Sequence, residues 1–512
     1  MIPFTAPTDD ILFSLHHIAG ADRVDDFDPD TCADILDHFA SFAEGVIAPL
    51  NTIGDTQGAQ LENGRVRMPD GFAAGYAQLA DAGWQGLTAP EAFGGMGLSH
   101  LIGAGYSEIF SGANHSMQMV CNLVPGAIST LLTYGTDAQQ ARWIPKLADG
   151  STLSTMCLTE AGAGSDLSAI RSTATQDGDA WRIDGEKIFI SGGDQDMSQS
   201  ILHLVLARTG TREDGLRGLS LFLCEPQAGI TVTRIEEKLG LHASPTCQMA
   251  FGNAKADLVG KVGDGLKAMF TLMNHARLDV ALQGVAHAAR AGQIARAYAA
   301  ERKQGRVAGG PATLEQHADV RRMLDHQRIL EISTRAMCHL ALVEMELGAR
   351  PALVEFLTPL CKVLGSEAGV QSANLGMQIL GGYGYLEEYG LSQIWRDARI
   401  AGIYEGANGI HMQALVTRGL RPGGGADDFM ALAMDLCPET DFSKWSDLRT
   451  KIVTSDDPGQ FAKQFTELTG TLLMAAIWAK ITSVANASGD PDQLLRLAEI
   501  ARKENSFECR VT

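Results

Sequence analysis

The 512-residue chain is 45% hydrophobic, which is more apolar material than one small core holds and predicts about two to four packed units. It carries 61 acidic and 41 basic residues, for a formal net charge of -20. Because phosphate backbones and anionic membrane surfaces repel such a charge, the composition argues against nucleic acid as a partner.

Cysteine usage and the apolar runs bear on location. Nine cysteines are scattered without a CxxC pair, and an odd number cannot all pair within one chain, so a reducing setting is expected. The start, MIPFTAPTDD, lacks the basic and apolar regions of a secretory signal. The late apolar run LLMAAIWAKI, at 472–481, is too short to span a bilayer. We therefore predict a soluble, cytoplasmic protein without membrane insertion.

The first two parts of the chain differ in periodicity. Apolar residues recur at three-to-four spacing in 34–50 and again in 72–84, which predicts an N-terminal helical domain over residues 1–150. From 151 to 260 the pattern changes to short runs such as ILHLVLART and ITVTRI, separated by Asp-Gly pairs and other glycines. These runs predict a small antiparallel β domain.

Helical periodicity returns from about residue 262 in segments longer than the usual globular helix. This pattern predicts a helical bundle over 261–420. The stretch RPGGGADD, at 421–428, reads as a break, and two further amphipathic segments predict a helical appendix over 421–512. The expected fold is therefore mainly α with a central antiparallel β domain.

One candidate site lies in STMCLTEAGAGSDLSAI, at 154–170. Gly162, Ala163 and Gly164 are small enough for backbone N–H groups to approach an anion, and Thr159 and Ser165 add hydroxyl donors. A pyrophosphate fits such a loop, although an ordinary turn explains the same letters. The stretch is neither a GxGxxG opening a Rossmann helix nor a Walker loop.

A second candidate is Glu405, in IYEGANGI at 403–410, where a carboxylate sits among apolar residues. Burial disfavours the charged form and raises the pKa of a carboxyl group, which makes the carboxylate a stronger base near neutral pH. The alternative is that Glu405 caps a helix that begins near Gly406.

Seven segments in fixed order together resemble the acyl-CoA dehydrogenases. They are MCLTEAGAGSDL, GEKIFISGG, KLGLHASPTCQMAF, GDGLKAMFTLMNHARL, YAAERKQGR, MQILGGYGYLEEY and IYEGANGI. The resemblance runs from about residue 30 to 420. It implies an N-terminal helical domain, a β-barrel-like middle domain and a C-terminal four-helix bundle, with FAD between the last two. The extra C-terminal residues are similar to a longer subgroup that includes 3-methylmercaptopropionyl-CoA dehydrogenase-like enzymes.

The resemblance implies FAD-dependent α,β-dehydrogenation of an acyl-CoA thioester, as in fatty acid β-oxidation. Glu405 matches the base that removes the α-proton while the β-hydrogen leaves as hydride to flavin N5, and an electron-transfer flavoprotein takes the electrons. Some relatives carry the base just before the arginine that matches Arg277, where this chain has Ala276. The residues expected to bind substrate are Ser165, Asn274, Arg277 and Gly406.

The resemblance also implies a set of FAD contacts. They are Met156, Leu158, Thr159, Gly164, Ser165, Phe189, Ile190, Ser191, Arg302, Gln378, Gly381, Gly382, Ala407 and Gly409. Arg302 and the Gln378 segment match residues that reach the cofactor of a neighbouring subunit, which implies a homodimer or homotetramer. Two departures stand out: RxxFG is here RKQG, and the usual YEGT is YEGA, where Asn408 is expected to supply a replacement amide.

Two alternative functions stand beside this one, and metal binding and the depth of the acyl pocket also need an expectation. An acyl-CoA oxidase shares the base and the flavin but lets oxygen reach the reduced ring. A flavoprotein of the same fold that binds nucleic acid is disfavoured, since residues 421–512 carry no net positive charge. No HExxH or Cys/His spacing indicates a metal site. Tyr383 and Tyr385 are expected to shorten the acyl pocket.

Overall fold

The computed structural model describes residues 2–507, with every side chain in that range except those of residues 272, 274, 275 and 504–507. Internal contacts divide the chain into two compact units. The bundle unit comprises Met1–Phe42, His100–Gly112 and Arg277–Thr512, and the sheet unit comprises Ala43–Ser99 and Ala113–Ala276. The four-domain division expected from the sequence is a different partition, and it stays a prediction.

The order of elements is helical, then β, then helical, as the sequence predicts. The helices are α1 Thr8–Phe13, α2 Pro29–Phe42, α3 Pro49–Gln57, α4 Phe72–Asp81, α5 His100–Cys121, α6 Val124–Tyr134, α7 Asp137–Ala148, α8 Gly265–Glu301, α9 Ala318–Leu347, α10 Pro351–Leu380, α11 Leu391–Ala398, α12 Asn408–Ala414, α13 Ala426–Leu436, α14 Ser443–Val453, α15 Ala462–Val484 and α16 Pro491–Phe507. The strands are β1 Gln60–Glu62, β2 Arg65–Arg67, β3 Thr152–Cys157, β4 Thr173–Asp177, β5 Ala180–Ser191, β6 Ser200–Arg208, β7 Leu219–Cys224, β8 Ile230–Ile235, β9 Thr246–Val259, β10 Lys303–Val307 and β11 Gly310–Thr313. Short 3₁₀ and π turns join several of them.

The large sheet closes on itself in the sheet unit. Strands β6, β4, β5, β9 and β7 pair in that order, and β7 pairs back with β6, while β8 adds to β9. Strand β3 pairs with β6 in parallel, from Thr152 opposite Ser200 to Cys157 opposite Val205. The sheet is therefore barrel-like and mainly antiparallel, and β6 makes its parallel pairings with β3 and, at Thr173 opposite Arg208, with β4. Alternating hydrophobicity marks a strand but not the direction of its neighbour, so the parallel pairing was not visible in the sequence.

The two Asp-Gly pairs of this region do different things. Asp177 faces Ala180 across the short turn that joins β4 to β5. Gly185, in the second pair, lies inside β5 at a register shift and adopts φ 145°. A Cβ atom there would lie 2.3 Å from the hydroxyl oxygen of Ser172. The glycine thus permits a bulge and a close approach rather than a turn.

Three long helices, α8, α9 and α10, form the centre of the bundle unit. A Cβ atom at Gly284 of α8 would lie 2.0 Å from the carbonyl oxygen of Gly365 of α10, so the two backbones meet where both residues are glycine. Helix α9 ends at Leu347 and is followed by Gly348, which adopts the left-handed conformation common after helix ends. The lengths and the packing agree with the predicted bundle.

A network of buried ion pairs joins α9 to α5 and α1 within the bundle unit. The guanidinium of Arg335 donates from Nη2 to Glu108 at 2.7 Å and to Glu331 at 3.2 Å. Arg328 donates to Asp10 at 2.6 and 2.7 Å. The side chains of Arg335, Glu108 and Glu331 are at most 1% exposed. Burial of opposite charges fixes the geometry tightly, because a buried charge that loses its partner is very costly.

The apolar run at 472–481 lies in a helical segment, Pro458–Ala487, that is long and apolar enough to cross a membrane by length and composition. Its side chains Phe465, Leu473 and Ile477 are buried inside the bundle unit. Trp478 donates from its indole N–H to the hydroxyl oxygen of Ser333 on α9 at 2.9 Å. We interpret the segment as a core helix of a soluble protein. The cytoplasmic location stays a prediction.

The appendix has its own aromatic core, and one hydrogen bond in it is open to test. The indole N–H of buried Trp445 donates to the hydroxyl of Thr469 at 2.9 Å. Replacing Thr469 by Val leaves the buried indole without its acceptor, so we expect a loss of about 1–3 kcal/mol in the free energy of unfolding. Thr469→Ser keeps the acceptor and is the matched control. Thermal unfolding of the two variants gives the comparison, and equal midpoints would contradict this role for the bond.

Candidate active site

Glu405 lies in the loop between the turn Arg399–Gly402 and helix α12, in the bundle unit. Its φ is 52° and that of Gly406 is 94°. A glutamate seldom adopts positive φ, because its Cβ then crowds the backbone, at a cost of roughly 1–3 kcal/mol. The backbone of this loop is therefore held in a conformation that its sequence does not favour.

Two side chains hold the carbonyl groups of this loop. Lys362, on α10, donates from Nζ to the carbonyl oxygen of Gly406 at 2.7 Å. His411, on α12, lies with Nε2 3.0 Å from the carbonyl oxygen of Glu405, so Nε2 carries the donated proton. Burial lowers the pKa of His411 to about 4, and the ring is therefore neutral at neutral pH.

The ring of Tyr404 is anchored on α8 by a chain of hydrogen bonds. Its hydroxyl donates to Oε1 of Gln283. The amide of Gln283 donates in turn to Oδ2 of Asp279 at 2.9 Å, and the hydroxyl of Ser107 donates to Oδ1 of the same carboxylate. The residue before Glu405 is thereby tied to α8 and α5.

The carboxylate of Glu405 is poised to titrate near neutral pH. Burial raises the pKa of Glu405 to about 7, although the positive charges of Arg277 and Lys362 act to lower it and that of Asp279 acts to raise it. Oε2 of Glu405 is buried and accepts no hydrogen bond from any group that the structure describes. Such a group has an open lone pair and a pKa suited to accepting a proton near neutral pH.

In the sheet unit, the loop after β3 is anchored by a buried ion pair. Lys187, on β5, donates to Glu160 at 2.8 Å and to the carbonyl oxygen of Leu158 at 3.1 Å. Glu160 also accepts from the backbone N–H groups of Arg171 and Ser172. These bonds fix both ends of the loop, and Gly164 and Ser165 between them are exposed. The remaining candidates here, Met156 and Thr159, are half-buried, whereas Leu158 is buried.

Phe189, Ile190 and Ser191 end strand β5. Phe189 adopts φ 60°, and its side chain is 59% exposed. Ile190 is buried and Ser191 is half-buried, so the run alternates as a strand does. A strained backbone that presents a bare aromatic ring is typical of a ligand-binding position.

The other cofactor candidates lie in the bundle unit. The guanidinium carbon of Arg302 lies 5.5 Å from the ring centre of Tyr383. Tyr383 also packs on Tyr298, and Tyr385 is 87% exposed. Tyr383 therefore lies between Arg302 and Tyr298, and the expectation that Tyr383 and Tyr385 shorten the acyl pocket stays a prediction. The remaining candidates of this set, all exposed, are Gln378, Gly381, Gly382, Ala407 and Gly409.

Asn408 corrects one expectation. Its side chain is buried, with Oδ1 2.9 Å from Nζ of Lys362. Its amide nitrogen donates to Glu367 at 2.9 Å and to Ser366 at 3.1 Å. Because these three partners use the amide inside the bundle unit, the proposal that Asn408 supplies a replacement amide to a cofactor is wrong.

Glu405, Gly406 and Arg277 lie in the bundle unit, and Arg277 is near enough for its positive charge to act to lower the pKa of Glu405. Asn274 precedes them on α8, but its side chain lies outside those that the structure describes. Sequence reasoning missed Lys362 and His411. A lysine inside the apolar run FLTPLCKVLG was the available signal, because a buried ammonium needs acceptors. Among the side chains that the structure describes, no cluster of three or more His, Cys, Asp or Glu fits a metal ion.

Three family profiles match consecutive parts of the chain. The acyl-CoA dehydrogenase N-terminal domain matches residues 29–151, the middle domain 155–254 and the C-terminal domain 263–420. The chain is 43% identical over 453 residues to a 3-methylmercaptopropionyl-CoA dehydrogenase of Ruegeria pomeroyi, covering 82% of this chain and 77% of that protein. It is 33% identical to the broad-specificity linear acyl-CoA dehydrogenase FadE5 of Mycobacterium tuberculosis, covering 79% and 73%.

Solved structures agree with the fold. Butyryl-CoA dehydrogenase from Megasphaera elsdenii superposes with a TM-score of 0.67 at 25% identity, over 75% of this chain and 96% of that one. ACDH-11 of Caenorhabditis elegans, solved with C11-CoA, has a TM-score of 0.83 at 19% identity over 97% of this chain and 91% of that one. The second likeness concerns the fold alone, and it extends through the C-terminal appendix. Both bear out the fold class expected from the sequence.

Proposed function

Since this chain belongs to the acyl-CoA dehydrogenase family, whose members are FAD-dependent oxidoreductases acting on the CH–CH bond of acyl-CoA, we propose that Glu405 is the base that removes the α-proton. The observation that carries this proposal is the buried Oε2 atom of Glu405, on a carboxyl group whose pKa burial raises to about 7. A base works best when its pKa lies near the working pH.

The residues around Glu405 set up the proton transfer. Lys362 holds the carbonyl group of Gly406, and His411 holds that of Glu405, so both peptide bonds that follow Glu405 are fixed. We propose that the backbone N–H of Glu405, in the same loop, donates to the thioester oxygen as negative charge builds there. Arg277 supplies a positive charge that favours the carboxylate form of the base.

Bound FAD would supply the acceptor for the hydride that leaves the β-carbon. In the sheet unit we propose that Leu158, Thr159, Gly164, Ser165 and the Phe189–Ser191 run hold it, with Met156. In the bundle unit we propose Ala407 and Gly409, while Arg302, Gln378, Gly381 and Gly382 reach the FAD of a second copy. A Cβ atom at Gly162 or Gly381 would meet no atom within 4 Å, and Phe189 is exposed, so both surfaces have room for such a group.

Substrate and electron acceptor are the finer parts of the proposal. Relatives named for 3-methylmercaptopropionyl-CoA and for linear acyl-CoA support a short or unbranched acyl group. An electron-transfer flavoprotein is the proposed acceptor, and one structural neighbour carries that name, with a TM-score of 0.68 and 26% identity. We propose that Asn274 and Ser165 contact the acyl-CoA together with Arg277 and Gly406.

Flavin reduction should depend on pH through Glu405. The carboxylate is the active form, so the rate is expected to rise with pH and to reach half its maximum near pH 7, the pKa to which burial raises this group. Stopped-flow measurement of flavin reduction between pH 5.5 and 9 gives this rise of the rate with pH, called the limb below. The exposed carboxylate of Glu355, on α10, provides a control: Glu355→Gln should leave the limb where it is.

Turnover with a panel of acyl-CoA thioesters tests the proposed reaction. An artificial electron acceptor and an anaerobic vessel isolate the dehydrogenase route, and mass spectrometry of the product should show the loss of two hydrogens. Hydrogen peroxide formed at a comparable rate in air would identify an acyl-CoA oxidase instead. Absence of a 2-enoyl-CoA from every thioester, in protein that carries its flavin, would contradict the proposal.

A further inference from the structure

Lys362 is a buried lysine that the reaction described above does not use directly. Its side chain is fully buried in α10, in an otherwise apolar stretch. Both of its hydrogen-bond acceptors are neutral oxygens, the carbonyl of Gly406 at 2.7 Å and Oδ1 of Asn408 at 2.9 Å. A buried ammonium bonded to neutral oxygens is costly to keep charged, so its retention calls for a reason.

The contacts of Lys362 converge on the strained loop. Gly406 follows Glu405 directly, and both residues have positive φ. Asn408, which begins α12, is itself fixed by Glu367 and Ser366 of α10. The ammonium therefore links α10 to Gly406 and Asn408, the two residues that flank the first turn into α12. Releasing it would free the Gly406 carbonyl and with it the left-handed backbone of Glu405.

Charged and titratable groups of the bundle unit surround Lys362 and Glu405 on the neighbouring elements. They are Arg277 and Asp279 on α8, Glu367 on α10, His411 on α12 and Arg418 in the π turn that follows. Burial lowers the pKa of Lys362 to about 8, against the opposing pull of Glu405 and Glu367. Lys362 therefore carries its charge at neutral pH, where Glu405 titrates.

We propose that Lys362 is a positioning residue for proton transfer: its ammonium fixes the Gly406 carbonyl and thereby the backbone of Glu405, and its charge favours the carboxylate form of that base. The inference rests on the proposed role of Glu405. It assigns to one side chain both the geometry and the charge state of the base.

The pH dependence of flavin reduction separates this role from a merely structural one. Lys362→Met removes the charge, which should raise the pKa of Glu405 and move the half-maximal pH upward by about one unit. Lys362→Gln is a second neutral variant that keeps an N–H donor, and it should show the same shift if the methionine variant binds too little FAD. Lys362→Arg keeps the charge and should leave the limb within a few tenths of a unit.

His411→Phe completes the set, because it removes a donor to the Glu405 carbonyl without removing charge at neutral pH. It should slow reduction at every pH and leave the limb in place. A wild-type limb in both neutral lysine variants would overturn the inference while leaving Glu405 as the base. A Glu405→Gln variant that still reduces its flavin would instead overturn the proposed function.

Discussion

Replacing Glu405 by Gln should slow flavin reduction by acyl-CoA about 10²–10⁴-fold, the contribution expected of one positioned general base. The amide keeps nearly the same shape and stays in the same loop, but it cannot accept the α-proton. Anaerobic stopped-flow mixing measures the rate directly from the loss of flavin absorbance. Glu355→Gln is the matched control and should reduce at the wild-type rate. A Glu405→Gln rate within threefold of wild type would contradict the role.

Loss of activity in this variant should not come from unfolding. Burial raises the pKa of Glu405 from 4.5 to about 7, so the folded protein holds a proton that the unfolded chain releases. Ionisation therefore destabilises the fold as pH rises through this window, by at most about 3 kcal/mol above pH 7. Thermal unfolding at pH 8 should show Glu405→Gln at least as stable as wild type, and the difference should vanish below pH 4.5.

Replacing Arg335 by Met should lower the free energy of unfolding by about 3–5 kcal/mol, because Glu108 and Glu331 then stay buried without that guanidinium. Three hydrogen bonds join Arg335 to Glu108, at 2.7, 3.0 and 3.1 Å. The charges of Glu108 and Glu331 raise the pKa of Arg335, so the guanidinium stays charged throughout. Denaturant or thermal unfolding measures the effect.

An exposed ion pair on the same helix gives the control for Arg335→Met. Arg322 pairs with Asp319 at 2.8 Å, and both side chains are more than half exposed. Arg322→Met should cost less than about 1 kcal/mol, since water and salt screen such a pair. Adding Glu108→Leu to Arg335→Met should recover part of the loss by removing the stranded charge. Equal stabilities for the two single variants would refute the account of the network.

Local sequence patterns predicted much of the fold. Three-to-four spacing marked the long helices, and short β-branched runs marked the strands of the sheet unit. The closure of the sheet through β6 and β7, and the parallel pairing of β3, depend on contacts between distant residues. Gly185 shows where local patterns fail. The Asp184-Gly185 pair predicts a turn, but Gly185 packs closely on Ser172 and forms a bulge inside β5.

The site could be predicted where a residue's type and its sequence neighbours indicate its chemical role. Glu405, in its apolar setting, was identified from the sequence as the candidate base, and the structure gives it a raised pKa. Lys362 was missed because it lies 43 positions before Glu405, on α10, and no local pattern shows which backbone carbonyl its ammonium contacts. Asn408 was misread for the same reason, since its partners on α10 are set by tertiary packing.

Whether Glu405 is the base is decided by anaerobic mixing of the flavin-loaded protein with acyl-CoA thioesters, including 3-methylmercaptopropionyl-CoA and butyryl-CoA. Wild-type protein should lose its visible flavin absorbance with at least one thioester, and Glu405→Gln should keep its absorbance on the same timescale with FAD still bound. Full flavin loading with no loss of absorbance for any thioester, or equal loss in both proteins, would contradict the assignment of Glu405 as the base.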